Sequence, residues 1–197
     1  MKRILFAGLL SCALISPAMA ALPAGGVAPD FQAQASLAGK SFNFTLKEAL
    51  KKGTVVVYFY PSAYTGGCNI QAHEFAEKHD KFTAAGASVI GVSLDDISRL
   101  NAFSADPKYC AGKVAVAADV DGKIAKAYDL TVRPAAAGKK DTQGAEIQHG
   151  FVERTTFVIA PDGKIVATLT GLSPAENVAK ALAVVKQLDD SKKASNW

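Results

Sequence analysis

Residues 54–60, TVVVYFY, constrain this chain more than any other stretch. Successive side chains on a strand point to opposite faces, so a half-buried strand alternates apolar and polar positions. Here three valines run straight into aromatic residues with no polar residue between them. Such a run predicts a strand buried on both faces, at the centre of a sheet.

The flanking sequence supplies the layers. Residues 21–29 are rich in Pro, Gly and Ala and read as an N-terminal arm. Residues 31–45 hold two short alternating stretches, FQAQA and SFNFTL, around Gly39 and Lys40, which predicts a hairpin. Leu46 to Leu50 suits one helical turn. Gly66 and Gly67 then break the chain, and a helix is expected from there to about Ala85. Ala72, Phe75, His79 and Phe82 recur at spacings of three and four, which puts them on one face with Cys68 a turn above. ASVIGVSL is the next strand, and Asp95 and Asp96 are placed to cap a helix carrying Leu100 and Phe103. Asp106 and Pro107 end that helix. KVAVAAD predicts a third strand and GKIAKAYDL a short helix. Residues 133–150 are polar, Gly-rich and long for a loop, which marks them as functional or mobile. RTTFVIAPDGKIVATLT reads as two strands joined by a tight Pro-Asp-Gly turn. Ser173 and Pro174 open a last amphipathic helix through Leu188, followed by a frayed tail. Strands and helices alternate in one layered sheet, so the fold class is α/β with an N-terminal β-hairpin.

The first twenty residues read as a removable leader. Lys2 and Arg3 precede an apolar run from Ile4 to Ile15, and Ala18, Met19 and Ala20 form a small-x-small cleavage pattern. The run is short for a membrane span. A second reading takes Leu9, Leu10, Ser11 and Cys12 as a lipoprotein attachment site, with Cys12 acylated. Cleavage after Ala20 leaves 177 of the 197 residues, residues 21–197, enough for one domain and one core. The formal charge of +4 falls to +2 without Lys2 and Arg3, which is no electrostatic footprint for nucleic acid. No other run predicts a transmembrane anchor. The mature chain is expected to be exported, with a periplasmic location or, on the second reading, a lipid anchor at Cys12.

Cys68 and Cys110 then remain, 42 positions apart. Two cysteines in an exported chain predict one disulfide, as a structural staple or as a redox pair that opens and closes. Cys68 follows a strand and a Gly-rich turn at a helix N-terminus, where free amides and the helix dipole favour thiolate over thiol. Thr65 offers a hydroxyl that can donate to sulfur or to a substrate oxygen. Pro61 fixes the approach of the chain. This reads as an activated nucleophile in a partly closed pocket. A small buried cysteine filling a helix–sheet gap fits the same residues. His73 and His79 fall on different helix faces, His149 sits in the long loop, and neither H-x-x-x-H nor C-x-x-C occurs, so no metal site is expected. Tyr64 and Phe151 are candidate pocket walls.

Pro61, Thr65 and Cys68 form a P-x-x-x-T-x-x-C motif that resembles that of the peroxiredoxins, the alkyl hydroperoxide reductase/thiol-specific antioxidant superfamily. APDF at 28–31, VVVYFYP at 55–61, IGVSLD at 90–95 and RTTFVIAPDGKI at 154–165 strengthen the resemblance, which covers essentially all of residues 21–197. It implies a thioredoxin-like fold, with a central mixed β-sheet flanked by helices. It implies a thiol-dependent peroxidase for hydrogen peroxide or organic hydroperoxides, re-reduced by a thioredoxin-like dithiol protein. No cofactor or metal is needed, and the protein is a monomer or homodimer. By the same resemblance Cys68 is the peroxidatic cysteine and passes through a sulfenic acid. Thr65 holds the peroxide, Pro61 shields the sulfur, and Arg154 stabilises the thiolate and the charge developing on oxygen.

The pattern also departs from the family. In the bacterioferritin comigratory type a second cysteine can sit five residues after the first; here that residue is His73. A glutamate common three residues after the cysteine is replaced by Gln71. Some comigratory-type proteins and the atypical two-cysteine thiol peroxidases carry a resolving cysteine in or near the helix before Cys110, so the resemblance points to Cys110 for resolution, after the first turn around Cys68 unwinds; the alternative is a one-cysteine enzyme whose partner thiol comes from another molecule. The rival readings are an exported thiol–disulfide oxidoreductase and a thioredoxin-fold binding protein without chemistry. The first wants C-x-x-C where Thr65 stands; the second is opposed by the joint presence of Pro61, Thr65, Cys68 and Arg154.

Overall fold

A computed structural model describes residues 21–195. The leader and Cys12 lie outside the described residues. The run that opened the sequence reading forms β3 (Thr54–Phe59), and every residue of it is buried. Val56 and Tyr58 enter one apolar cluster and Val55, Val57 and Phe59 the other, so the two faces of one strand feed two cores. Fully burying each such side chain contributes about 1.5–3 kcal/mol.

This strand lies inside a seven-stranded sheet of order β2-β1-β5-β4-β3-β8-β9. The hairpin of β1 (Gln32–Leu37) and β2 (Lys40–Thr45) lies at one edge. β4 (Ala87–Ser93) and β5 (Ala115–Ala118) run parallel to β3, while β8 (Thr155–Ile159) and β9 (Ile165–Thr170) complete the other side antiparallel. The sheet is therefore mixed. One face is covered by α2 (Gly66–Glu77), α3 (His79–Ala84), α4 (Ile97–Ala105) and α6 (Pro174–Ser195). The other carries α1 (Leu46–Leu50) and α5 (Lys123–Ala127). Tyr58 pairs with Gly91 across β3 and β4, and a Cβ on Gly91 would stand 2.6 Å from the Tyr58 ring. Only glycine lets that ring lie flat over its neighbour.

The N-terminal arm is stitched to the far end of the chain. Gly25 donates to the Ile165 carbonyl at 2.8 Å, Ala28 to Gly163 at 2.9 Å, and Thr168 Oγ1 to the Leu22 carbonyl at 2.6 Å.

Two expectations need correction and a third, left open between two readings, is narrowed. The helix predicted to continue to Ala85 breaks at Lys78 into α2 and α3. Residues 77–80 bury no side chain, so no core packing holds that segment in line, and the kink still returns Phe82 to within 5.5 Å of the Phe75 ring. The tail beyond Leu188 is helical to Ser195, with a Lys193–Asp189 ion pair at 2.5 Å and serine hydroxyls bonded one turn back. The loop after Arg133 is tied down. β6 (Val132–Arg133) pairs with β7 (Phe151–Val152) to close its base, and its Asp141 side chain is buried. Among the described residues no helix is long and apolar enough to cross a membrane.

Candidate active site

The site forms where β3 ends and α2 begins. Thr65 is the N-cap of α2, with extended backbone angles, and Asn69 is the first residue whose amide bonds back, to the Thr65 carbonyl at 2.8 Å. The amides of Gly66, Gly67 and Cys68 therefore have no intrahelical acceptor and leave partial positive charge beside the Cys68 sulfur. Cys68 itself is 2% exposed.

Arg154, in the short link between β7 and β8, reaches the same point. Its Nη2 donates to Cys68 Sγ at 3.4 Å and its Nη1 to Gln71 Oε1. Gln71 Nε2 donates to Asn177 Oδ1 at 3.1 Å, Thr156 Oγ1 donates to the same oxygen at 2.5 Å, and Asn177 Nδ2 donates to the Leu169 carbonyl at 3.2 Å. Gln71, Asn177 and Thr156 are fully buried, so this relay fixes the guanidinium fork. Because Gln71 is neutral, the relay orients Arg154 without cancelling its charge. Gly67 leaves room for the same contact: a Cβ there would lie 3.1 Å from Arg154 Nη2, so the guanidinium would have to give way slightly.

Pro61, Thr65 and Arg154 line one cavity of 680 Å³ with Arg133, Pro134, Ala136, Lys139 and Phe151. The predicted wall residue Phe151 is thus in place. Tyr64 is not. Its ring lies behind the loop, edge-on to Phe103 at 5.1 Å and Tyr109 at 5.6 Å, with the Arg99 guanidinium 5.1 Å above it. Its φ of 58° is left-handed, which costs a non-glycine residue about 1–2 kcal/mol. The Thr65 hydroxyl also departs from expectation. It donates to the Ser62 carbonyl at 2.8 Å, within the tight loop, which leaves its oxygen as an acceptor for an incoming O–H.

Cys110 lies apart from that cavity, in the turn after α4. It is fully buried in the same apolar cluster as Cys68, and both thiols are free. Burial, followed by the Asp106 charge, pushes the Cys110 thiol up and keeps it protonated. A disulfide between the two needs close α-carbons.

The sequence reading missed a second constellation. Asp95, read there as a cap, is fully buried; Asp96 alone caps α4, accepting from the Arg99 amide at 2.9 Å. The Asp95 carboxylate accepts from Ser62 Oγ, Arg99 Nε and His149 Nε2, each at 2.9 Å, and from the Ala63 amide and Ser93 Oγ, each at 2.7 Å. Burial acts against the charge on Asp95, but the bonds from His149, Ala63 and Ser93 outweigh it and hold the carboxyl below its ordinary value. Arg99 also binds Asp141 at 2.5 Å. His149 Nδ1 faces the Gly150 carbonyl at 2.8 Å while Nε2 faces Asp95. Both ring nitrogens meet acceptors, which suits the doubly protonated ring. Burial opposes that form, yet the Asp95 and Gly150 bonds prevail and raise the His149 value. An Asx spacing is visible in sequence; a histidine 54 positions from its carboxylate is not. Among the described residues no group of three or more His, Cys, Asp and Glu side chains is placed to hold a metal ion.

Comparison with known proteins converges on one family. The AhpC/TSA family profile matches residues 24–168. The putative peroxiredoxin bcp of Helicobacter pylori strain J99 is 34% identical over 145 residues, 74% of this chain and 86% of that protein. Peroxiredoxin Bcp of Bacillus subtilis is 28% identical over 147 residues, 74% and 87% of the two chains. Among solved structures, peroxidoxin BcpB of Mycobacterium tuberculosis superposes with a TM-score of 0.69 at 27% identity, covering 84% of this chain and 97% of that one. The bacterioferritin comigratory protein of Xanthomonas campestris, described for its alkyl peroxide reduction activity, gives 0.62 at 27% identity, over 79% and 91%. The thioredoxin-like fold class expected from the sequence is the one observed.

Proposed function

The chain belongs to the AhpC/TSA family as a peroxiredoxin of the bacterioferritin comigratory type, a thiol-dependent peroxidase, and on that premise we propose that Cys68 is its peroxidatic residue. The Cys68 thiolate attacks one oxygen of ROOH. The S–O bond forms as the O–O bond breaks, RO⁻ takes a proton and leaves as alcohol or water, and Cys68 becomes a sulfenic acid. Arg154 and the α2 amides meet the negative charge on sulfur and on the departing oxygen. Thr65 accepts the peroxide O–H, and Pro61 walls the sulfur from bulk water. The reading is carried by the 3.4 Å contact between Arg154 and Cys68 at a helix N-terminus beside the cavity.

Cys110 then condenses with the sulfenic acid, losing water to form a disulfide, once α2's first turn and the turn at Cys110 open. A thioredoxin-like dithiol protein returns both thiols by exchange. The leader 1–20 directs the enzyme to the periplasm, with lipidation at Cys12 as the second reading of the same segment; the working unit is a monomer or homodimer. Peroxide consumption with dithiothreitol tests the central step. Wild type should turn over and Cys68→Ser should not; equal rates would remove the proposal. Non-reducing mass spectrometry after one equivalent of peroxide should find Cys68 joined to Cys110. A lasting Cys68 sulfenate beside a free Cys110 would make the enzyme a one-cysteine peroxidase.

A further inference from the structure

We infer that Asp95 is a positioning residue for the peroxide pocket: through Ser62 and Ala63 it holds the loop of residues 61–65 in the form that aims Pro61 and Thr65 at Cys68. The inference rests on Cys68 being the peroxidatic residue.

That loop has little to hold it from within. It carries a left-handed Tyr64, and the side-chain bonds inside it are two, Thr65 Oγ1 to the Ser62 carbonyl at 2.8 Å and a long one from Ser62 Oγ to the Ala63 carbonyl at 3.3 Å. Three of its residues, Ser62, Ala63 and Tyr64, are held from outside. Asp95 takes the Ala63 amide at 2.7 Å and the Ser62 hydroxyl at 2.9 Å. Arg99 takes the Ala63 carbonyl at 2.9 Å, and Thr142 gives both its amide, at 2.9 Å, and its hydroxyl, at 2.7 Å, to the Tyr64 carbonyl. Asp95 is the hub, because Arg99 and His149 both bind it and Arg99 passes on to Asp141. The loop, β4 and the Arg99 and His149 side chains thus share one buried carboxylate. Charge-assisted bonds at full burial are stiff, and a small misplacement near reacting atoms is costly in rate.

A merely architectural Asp95, tying β4 to α4, would act on stability alone. The two roles separate at Ser62 and Ser93. Both hydroxyls bind the same carboxylate, but Ser62 belongs to the loop and Ser93 to β4. Full-length Asp95→Asn, Ser62→Ala and Ser93→Ala are compared for Cys68 oxidation by hydrogen peroxide and for Cys68 alkylation by iodoacetamide, with thermal unfolding in parallel. Alkylation reports the thiolate without the peroxide pocket. Asp95→Asn should lower the ratio of peroxide to alkylation rates roughly 10²-fold. Ser62→Ala should lower it less, and Ser93→Ala should leave it unchanged. An unchanged ratio in folded Asp95→Asn and Ser62→Ala overturns the inference, as does an equal fall in Ser93→Ala. Where Asp95→Asn does not fold, Ser62→Ala decides, since it leaves every charge paired. A wild type that consumes no peroxide overturns the parent reading instead.

Discussion

Replacing Arg154 with methionine separates what this side chain does for chemistry from what it does for the fold. Its two arms end on different partners: Nη2 on the Cys68 sulfur at 3.4 Å and Nη1 on the buried amide of Gln71. Loss of the first arm removes a fixed charge facing the developing oxyanion. Comparable donors are worth about 2.7–4 kcal/mol, or roughly 10²–10³ in rate. Loss of the second strands Gln71 Oε1 without a donor in a fully buried position, a cost of about 1–3 kcal/mol in stability. Arg154→Met should therefore be slower by the first factor and less stable by the second. Adding Gln71→Met should recover most of the stability, because Asn177 Oδ1 still receives Thr156 Oγ1 and the stranded Gln71 oxygen is gone. It should recover none of the rate. Arg154→Lys, which keeps a charge and loses the fork, should fall between. Stopped-flow oxidation of Cys68 and urea unfolding measure the two quantities on the same samples. A single Arg154→Met variant within about tenfold of wild type, under 1.36 kcal/mol in barrier, would refute the assignment of the guanidinium to the reaction. A double variant that regains activity with stability would do the same.

Two further outcomes follow from named contacts. His149 titrates above its ordinary value in the folded state, so the stability it adds is full below the unfolded value and is lost as pH rises through the folded one. Wild type should accordingly exceed His149→Gln in unfolding free energy at mildly acidic pH, and the gap should close toward alkaline pH; a gap that widens with pH contradicts the ring's charged state. Gly67→Ala adds a methyl 3.1 Å from Arg154 Nη2 and 3.4 Å from Pro174 Cγ. It should keep or raise the melting temperature, since alanine outranks glycine in a helix by about 1 kcal/mol, while slowing Cys68 oxidation; unchanged kinetics would show that the guanidinium yields without leaving the sulfur.

What the sequence disclosed was what depends on neighbours. Residues 54–60 announced a doubly buried strand because apolar character without alternation has one structural meaning, and the Pro-Asp-Gly turn at 161–163 placed β8 against β9 for the same local reason. The spacing of Pro61, Thr65 and Cys68 was readable because all three sit on one strand–turn–helix unit, and the structure brings Arg154 to them as the wider motif implied. The supporting residues were hidden because their partners are distant and their types ordinary. Gln71 meets Asn177 across 106 positions, and Ser62 meets Asp95 across 33. Asp95 satisfied a capping rule so well that its deeper use was masked. The break at Lys78 escaped because the Phe75–Phe82 spacing survives a kink.

The stitching of the N-terminal arm has a consequence for the order of folding. Residues 22–28 find their partners at 128 and at 163–168, and β1 pairs with β5 through Ala35 and Ala117. Neither the first residues of the arm nor the first hairpin can be docked by the chain that directly follows them. A growing polypeptide holds its beginning unclosed until almost the whole sheet exists, and pairings of such separation are entropically slow. The hairpin can close once β5 exists, whereas the arm waits for β8 and β9.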